Sequence, residues 1–157
     1  MIRALGVDDA ADALRVIHAA FSAQSEVTDP PSGALRETAD SIAAGIAGGG
    51  GFGAVVRAGK GCEDLGGVVL WVEQPGGLYL GRLAVLPAAR GGGVGRTLVA
   101  AVEAEARRRG LARVSLGVRL ALASNRAFFA ACGYCEAGFE THAGYAAPTS
   151  VRMERIL

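Results

Sequence analysis

The sequence predicts an α+β domain, with a central mixed sheet of about seven strands, mostly antiparallel, flanked by about four helices. Three observations predict it. Hydrophobic periodicity orders the elements as strand, two helices, three strands, helix, strand, helix, two strands, which excludes a regular βαβ repeat. Turn residues separate the three consecutive apolar runs in the middle, which reads as an antiparallel meander. The 157 residues contain no internal repeat and no linker long enough to divide them, so residues 1–157 are expected to form one domain.

Taken in order, a short strand at Ile2 to Leu5 precedes a helix that Asp8 or Asp9 can cap, with Leu14, Ile17 and Phe21 recurring on one face. His18 falls beside that stripe, where a packed or exposed side chain is the ordinary outcome. Thr28 to Gly33 is loop, because proline disfavours helix in the residue before it, and Ser32 can cap the helix that follows. That second helix turns Leu35, Ile42 and Ile46 inward and ends at the glycine run Gly48 to Gly51, read as a flexible turn. The meander comprises Phe52 to Arg57, Gly66 to Val72 and Leu78 to Val85, punctuated by "AGKG" and "QPGG" and closed by Pro87. From Val94 to Arg109 the period is helical, with Leu98, Ala101, Val102 and Ala106 on one face, a Glu103/Arg107 pair, and Gly110 past the end. Val114, Leu116, Val118 and Leu120 alternate as a strand. A short helix from Asn125 to Cys132 follows, and strands near Tyr134 to Glu140 and Ser150 to Ile156 end the chain.

Composition narrows the function classes. Sixteen basic against fifteen acidic residues leave a net charge of +1, so no overall field holds the protein on nucleic acid or an anionic membrane. The run Arg107 to Arg109 complements a helix C-terminus. No apolar stretch approaches the length of a membrane span, and the N-terminus lacks the pattern of a secretory signal, so a cytoplasmic location is expected. Three cysteines, Cys62, Cys132 and Cys135, are too few for a disulfide scaffold. "CGYC" has redox spacing, but its first cysteine ends a helix rather than starting one. Only Cys62 and His142 could complete a zinc site there, at no recognised spacing, so no metal is expected.

The informative stretch is Arg90-Gly-Gly-Gly-Val-Gly-Arg-Thr97. Glycines between a strand and a helix let backbone N–H groups converge on an anion, and the helix start adds partial positive charge. A P-loop would need a lysine after the last glycine, and none is near; a dinucleotide GxGxxG would require glycine at Arg96 or Leu98. The frame that fits is Arg90-x-x-Gly93-x-Gly95.

In that frame the sequence resembles the GCN5-related N-acetyltransferase (GNAT) family, whose R/Q-x-x-G-x-G/A turn cradles the coenzyme A pyrophosphate. "LYLGRLAVLPAARGGGVGRTLV" looks like the family's fourth strand and third helix, "NRAFFAACGY" like its fourth helix and sixth strand. "TSVRMERIL" is similar to its closing strand and "IRALGVDDAADALRVIHAAF" to its first strand and helix. The resemblance implies direct transfer of an acetyl group from acetyl-CoA to an amine of a small molecule or peptide, with a homodimer as one possible assembly.

Carried over by position, it implies that the backbone N–H groups of Leu83, Ala84 and Val85 face the thioester and pantetheine. Those of Gly91, Gly92, Gly93, Val94, Gly95 and Arg96 would meet the pyrophosphate, with Arg90 and the Thr97 hydroxyl assisting. Asn125 and Phe128 would lie along the pantetheine arm, Asn125 also reading as a helix N-cap. The family's usual tyrosine general acid is replaced by Phe129, which cannot donate a proton. Tyr145, His142 and Tyr134 are the substitutes, and Glu73 or Glu37 could serve as base. Substrate choice is expected in Asp29 to Thr38 and in "THAGY". Two rivals remain open: an acyl-CoA-binding module that transfers nothing, which Phe129 favours, and a nucleotide-phosphate binder.

Overall fold

The computed structural model describes residues 1–24, 26–58 and 62–157. Its strands are β1 (Ile2–Ala4), β2 (Gly50–Ala58), β3 (Cys62–Gln74), β4 (Gly77–Val85), β5 (Arg113–Arg119), β6 (Cys135–Glu140) and β7 (Ser150–Ile156). The helices are α1 (Ala10–Ser22), α2 (Ala39–Gly48), α3 (Val94–Arg108) and α4 (Ala123–Ala131). They build the expected α+β architecture: one sheet in the order β1-β2-β3-β4-β5-β7-β6, antiparallel except where β4 meets β5. Residues 59–61 of the "AGKG" separator lie outside the described residues, so the chemistry of that turn is not described.

Strand β3 explains why the sheet is covered on both faces. Its successive side chains alternate between two cores: Val69 and Trp71 pack with α3 and α4 residues such as Leu98, Val102 and Phe129, whereas Val68 and Leu70 pack with Val16 and Ile17 of α1 and Ile42 of α2. On β4 the alternation slips. Leu70 pairs with Arg82 but Trp71 with Leu80, leaving Gly81 as an extra, bulged residue. Leu78 and Leu80 therefore join the α3 core before the bulge, and Ala84 joins the α1 core after it.

Several local expectations are corrected. Within the run Gly48 to Gly51, the last three glycines are a steric requirement rather than a flexible turn: Gly49 closes α2, Gly50 begins β2 against Trp71 and Gly51 follows against Leu70. A Cβ on Gly50 would lie 2.2 Å from the Trp71 ring, and one on Gly49 would lie 2.1 Å from its carbonyl oxygen. Arg109 covers the same indole, its guanidinium carbon 4.6 Å from the ring centroid. Gly50→Ala is expected to destabilise the fold by about 1–3 kcal/mol through overpacking. An unchanged urea midpoint would show that Trp71 can retreat.

Leu35 is not inward on a second helix. It sits exposed on a separate 3-10 turn, Gly33–Arg36, which Ser32 caps and whose Ala34 is buried. The helix restarts at Ala39 because Thr38 and Ser41 form a reciprocal capping box. Asp9 occupies the N-cap of α1, but its carboxylate turns back to accept from Gly6 N–H and Arg3. His18 is packed, with Nε2 3.0 Å from the Glu37 carbonyl oxygen.

On α3 the buried face includes Val99 rather than Ala101, and Glu103 does not pair with Arg107. Glu103 is buried and meets Arg155 of β7 and the Tyr134 hydroxyl instead. Arg108 and Arg109 do close the helix end on Glu105, holding its carboxyl down at about 2. Cys132 caps α4, where burial pushes its thiol up, the opposite of a redox-motif cysteine. No helix among the described residues is long and apolar enough to cross a membrane.

Candidate functional site

The parallel β4/β5 contact is short. It covers only Gly77 to Tyr79 against Arg113 to Ser115. Beyond Tyr79, β4 follows β3 through Val85 while β5 follows β7 through Arg119, so the sheet splits. The Gly81 bulge lies at the start of that split and re-aims the rest of β4.

Two cavities open on the gap, of about 560 Å³ and 430 Å³, and they meet at Phe21, Leu83, Leu122, Asn125 and Phe128. The first reaches the glycine turn. Leu83, Ala84 and Val85 form one wall, Arg90, Gly91, Gly93, Val94, Gly95 and Arg96 the mouth, and Ser124, Asn125 and Phe128 the far side. Gly91 and Gly93 have φ of +87° and +81°, left-handed values that side-chain-bearing residues resist, and Gly93 is the N-cap of α3. A Cβ on Gly91, Gly92 or Gly93 would meet nothing within 4 Å, so the turn presents bare backbone to open space. None of these three amides donates to a backbone carbonyl among the described residues. Unspent N–H groups at the positive end of a 15-residue helix fit an oxyanion such as a diphosphate.

Gly95 has a different role. A Cβ there would lie 3.3 Å from Phe128 Cζ, so its glycine lets α3 approach α4. Arg90 is folded against the wall, its Nε donating to Val85 O at 3.1 Å. Thr97 does not assist the mouth, because its hydroxyl donates to Gly93 O at 2.9 Å within the helix. Asn125 lines both cavities but is not a cap; Leu122 holds the N-cap position of α4.

The second cavity is lined by Arg36 and Gly33 of the 3-10 turn, Tyr79 and Arg82 of β4, Arg119 of β5, Phe129 of α4, Glu140 and His142. Phe129 is buried, edge-on to Phe128 with centroids 5.0 Å apart. His142 keeps its place because its backbone N–H donates to Thr149 Oγ1, which its Nδ1 also contacts.

Other sequence candidates lie elsewhere. Glu73 sits exposed at the far end of β3, paired with Arg109 at the C-terminal end of α3, so the ~22 Å length of that helix separates it from the glycine turn. Glu37 stands behind the wall, accepting from Arg82 at 3.1 Å and from the Ser41 hydroxyl at 2.5 Å. The Tyr145 hydroxyl donates to Asp29, a bond that raises its phenol and ties the two loops together. Tyr134 is buried on the α3 side against Glu103, and burial followed by that carboxylate drives its phenol far up. Neither tyrosine borders the cavities. Arg36 and His142 lie in the two segments expected to govern substrate choice, whereas Arg82, Arg119, Tyr79 and Glu140 are not among the sequence candidates. The one legible signal was a lone arginine in the apolar run "LYLGRLAV". Burial, then Glu140, raises the Tyr79 phenol, which makes it a hydroxyl donor rather than a base.

A mixed sheet that splits beside a glycine-capped helix, with two cavities that meet at the split, defines the acetyltransferase fold of the GCN5-related type. The chain belongs to the GNAT family: the family model for Acetyltransferase (GNAT) matches residues 23–134. Membership implies acyl-CoA-dependent acetyl transfer.

Solved structures agree in fold. The ribosomal-protein-S18-alanine N-acetyltransferase from Escherichia coli matches with a TM-score of 0.77 at 19% identity, over 99% of this chain and 92% of that one. The PaiA N-acetyltransferase from Thermoplasma acidophilum, in complex with coenzyme A, matches with a TM-score of 0.73 at 18% identity, over 100% and 99%. An IAA acetyltransferase from Bacillus cereus matches with a TM-score of 0.70 at 18% identity, over 100% and 99%. A sequence search of the curated proteins finds no match.

Proposed function

We propose that this protein transfers the acetyl group of acetyl-CoA directly to a primary amine of a small molecule or peptide. The observation that carries the reading is the meeting of the two cavities at Leu83, Asn125 and Phe128: a thioester and an amine entering from opposite sides would come together there. The amides of Gly91 to Gly93 and the start of α3 hold the diphosphate, and the β4 backbone from Leu83 to Val85 flanks the acyl arm. In the transfer, the amine nitrogen bonds to the carbonyl carbon and the carbon–sulfur bond breaks. The thiolate takes the electron pair, and the amine loses one proton.

That proton needs an acceptor on the second-cavity side, and His142 is the residue we assign. His142 Nδ1 lies against Thr149 Oγ1, and in the tautomer that donates Nδ1–H to that oxygen Nε2 is the ring nitrogen that takes the proton. With Phe129 at the usual acid position, the thiolate leaves unassisted, which its acidity allows, close to that of a free thiol at about 8.5. His142→Ala is expected to lower kcat about 100-fold while acetyl-CoA affinity stays unchanged. Equal kcat in wild type and variant would remove His142 from the reaction.

The functional test is release of free coenzyme A, followed by thiol titration, across a panel of primary amines. Phe129 favours one other reading, a module that holds acyl-CoA without transferring it. That reading predicts binding with no amine-dependent thiol release.

A further inference from the structure

Three guanidinium groups gather at the second cavity. Arg82 Nη2 and Arg36 Nη2 lie 3.3 Å and 3.6 Å from the point where a Cβ of Gly33 would be, so the two cationic tips flank one spot that glycine leaves empty. Arg119 reaches the same wall from β5, anchored by the carbonyls of Pro30 (2.6 Å) and Pro31 (3.3 Å). Arg119 also feels Arg36: burial and then that neighbouring charge push its guanidinium down from its ordinary value, although an arginine stays charged.

The arginines are incompletely neutralised. Arg82 has Glu37, but its buried Nε has no hydrogen-bond partner. Neither Arg36 nor Arg119 has a carboxylate within ion-pair distance among the described residues. Of the other titratable groups nearby, Glu140 and His142 line the wall and Asp29 accepts the Tyr145 hydroxyl. Of the Glu37, Glu140 and Asp29 carboxylates nearby, only Glu37 pairs with one of the three cations, so two guanidiniums lack a carboxylate partner among the described residues beside a cavity that takes the amine. Like charges held together at a partly dehydrated wall are costly unless an anion joins them.

Resting on the transferase reading above, we infer that the acceptor is a small amino-carboxylate, an amine carrying its own carboxylate, which Arg36, Arg82 and Arg119 hold while the amine points toward Leu83 and Asn125. The planar fork of a guanidinium matches the two oxygens of a carboxylate. The cavity, at about 430 Å³, has the size of small-molecule sites.

The test pairs α-, β- and γ-amino acids with their carboxamides, and adds an aminoalkyl phosphate, at saturating acetyl-CoA with thiol release as readout. At least one amino acid is expected to exceed its amide about tenfold or more in kcat/KM, chiefly through KM. Arg36 is exposed and makes no hydrogen bond among the described residues, so Arg36→Gln should fold and should shrink that ratio toward unity, while Arg36→Lys restores part of it. Equal turnover of acids and amides, preference for the phosphate, or an unchanged ratio in Arg36→Gln would overturn the inference. Acetyl-CoA binding with no amine turned over would instead favour the non-transferring module and overturn the transferase reading. Failure to bind acetyl-CoA would overturn the transferase reading as well.

Discussion

Gly93→Trp and Gly92→Trp are each expected to weaken acetyl-CoA binding by at least about 100-fold in calorimetric titration, because losing two charge-assisted hydrogen bonds removes that much affinity. The two variants separate strain from occlusion. At Gly93 the φ of +81° resists any side chain, so part of the loss would come from a distorted start of α3. Gly92 has no such constraint, and a Cβ there meets nothing within 4 Å, so a side chain is accommodated without strain. If Gly93→Trp and Gly92→Trp both bind as tightly as wild type, the turn is not the diphosphate cradle. If wild type itself binds no acetyl-CoA, both the transferase reading and the acyl-CoA module are lost.

Glu103→Ala is expected to cost about 3 kcal/mol of folding stability, measured as a shift of the urea midpoint at constant slope. Glu103 is a buried carboxylate that Arg155 meets at 3.0 Å and the Tyr134 hydroxyl at 3.1 Å, and Arg155 in turn donates to Cys132 O at the end of α4. Removing the carboxylate strands a buried phenol and an arginine at the junction of α3, β7 and α4. Because the Arg155 side chain is 38% exposed, water can recover part of its charge, which sets the estimate at the low end for a broken buried pair. A loss below about 1 kcal/mol would mean that the pair behaves as a surface ion pair.

These residues also show where local pattern runs out. Period alone places Leu98, Val102 and Ala106 correctly on the buried face of α3, because apolar side chains spaced by a helical turn have one sensible destination. The same period assigns Glu103 to Arg107, the nearest opposite charge along the helix. The partner it takes comes from β7, which is brought there only by a sheet order that inserts β7 between β5 and β6. Leu35 was misplaced because an unbroken helix was extrapolated across Glu37, whose extended backbone separates two capped segments.

The glycine turn was legible because its chemistry is local: contiguous backbone amides need only a bend and the helix that follows. The acceptor side is legible only in part, in the segments Asp29 to Thr38 and "THAGY" that supply Arg36 and His142. Its walls come from the 3-10 turn, β4, β5, α4 and the segment around His142, and no spacing in the chain links Arg36 to Arg82 or Arg119. The Gly81 bulge is decisive, since one extra residue moves Arg82 to the face where Glu37 and Gly33 wait. By itself, then, the sequence determined the element types, the meander, the bare glycine turn before α3 and, through resemblance, the family. Only the tertiary structure decided which charged side chains converge on the amine side and that Glu73 and Tyr134 lie off the cleft, because those outcomes depend on strand register and sheet order.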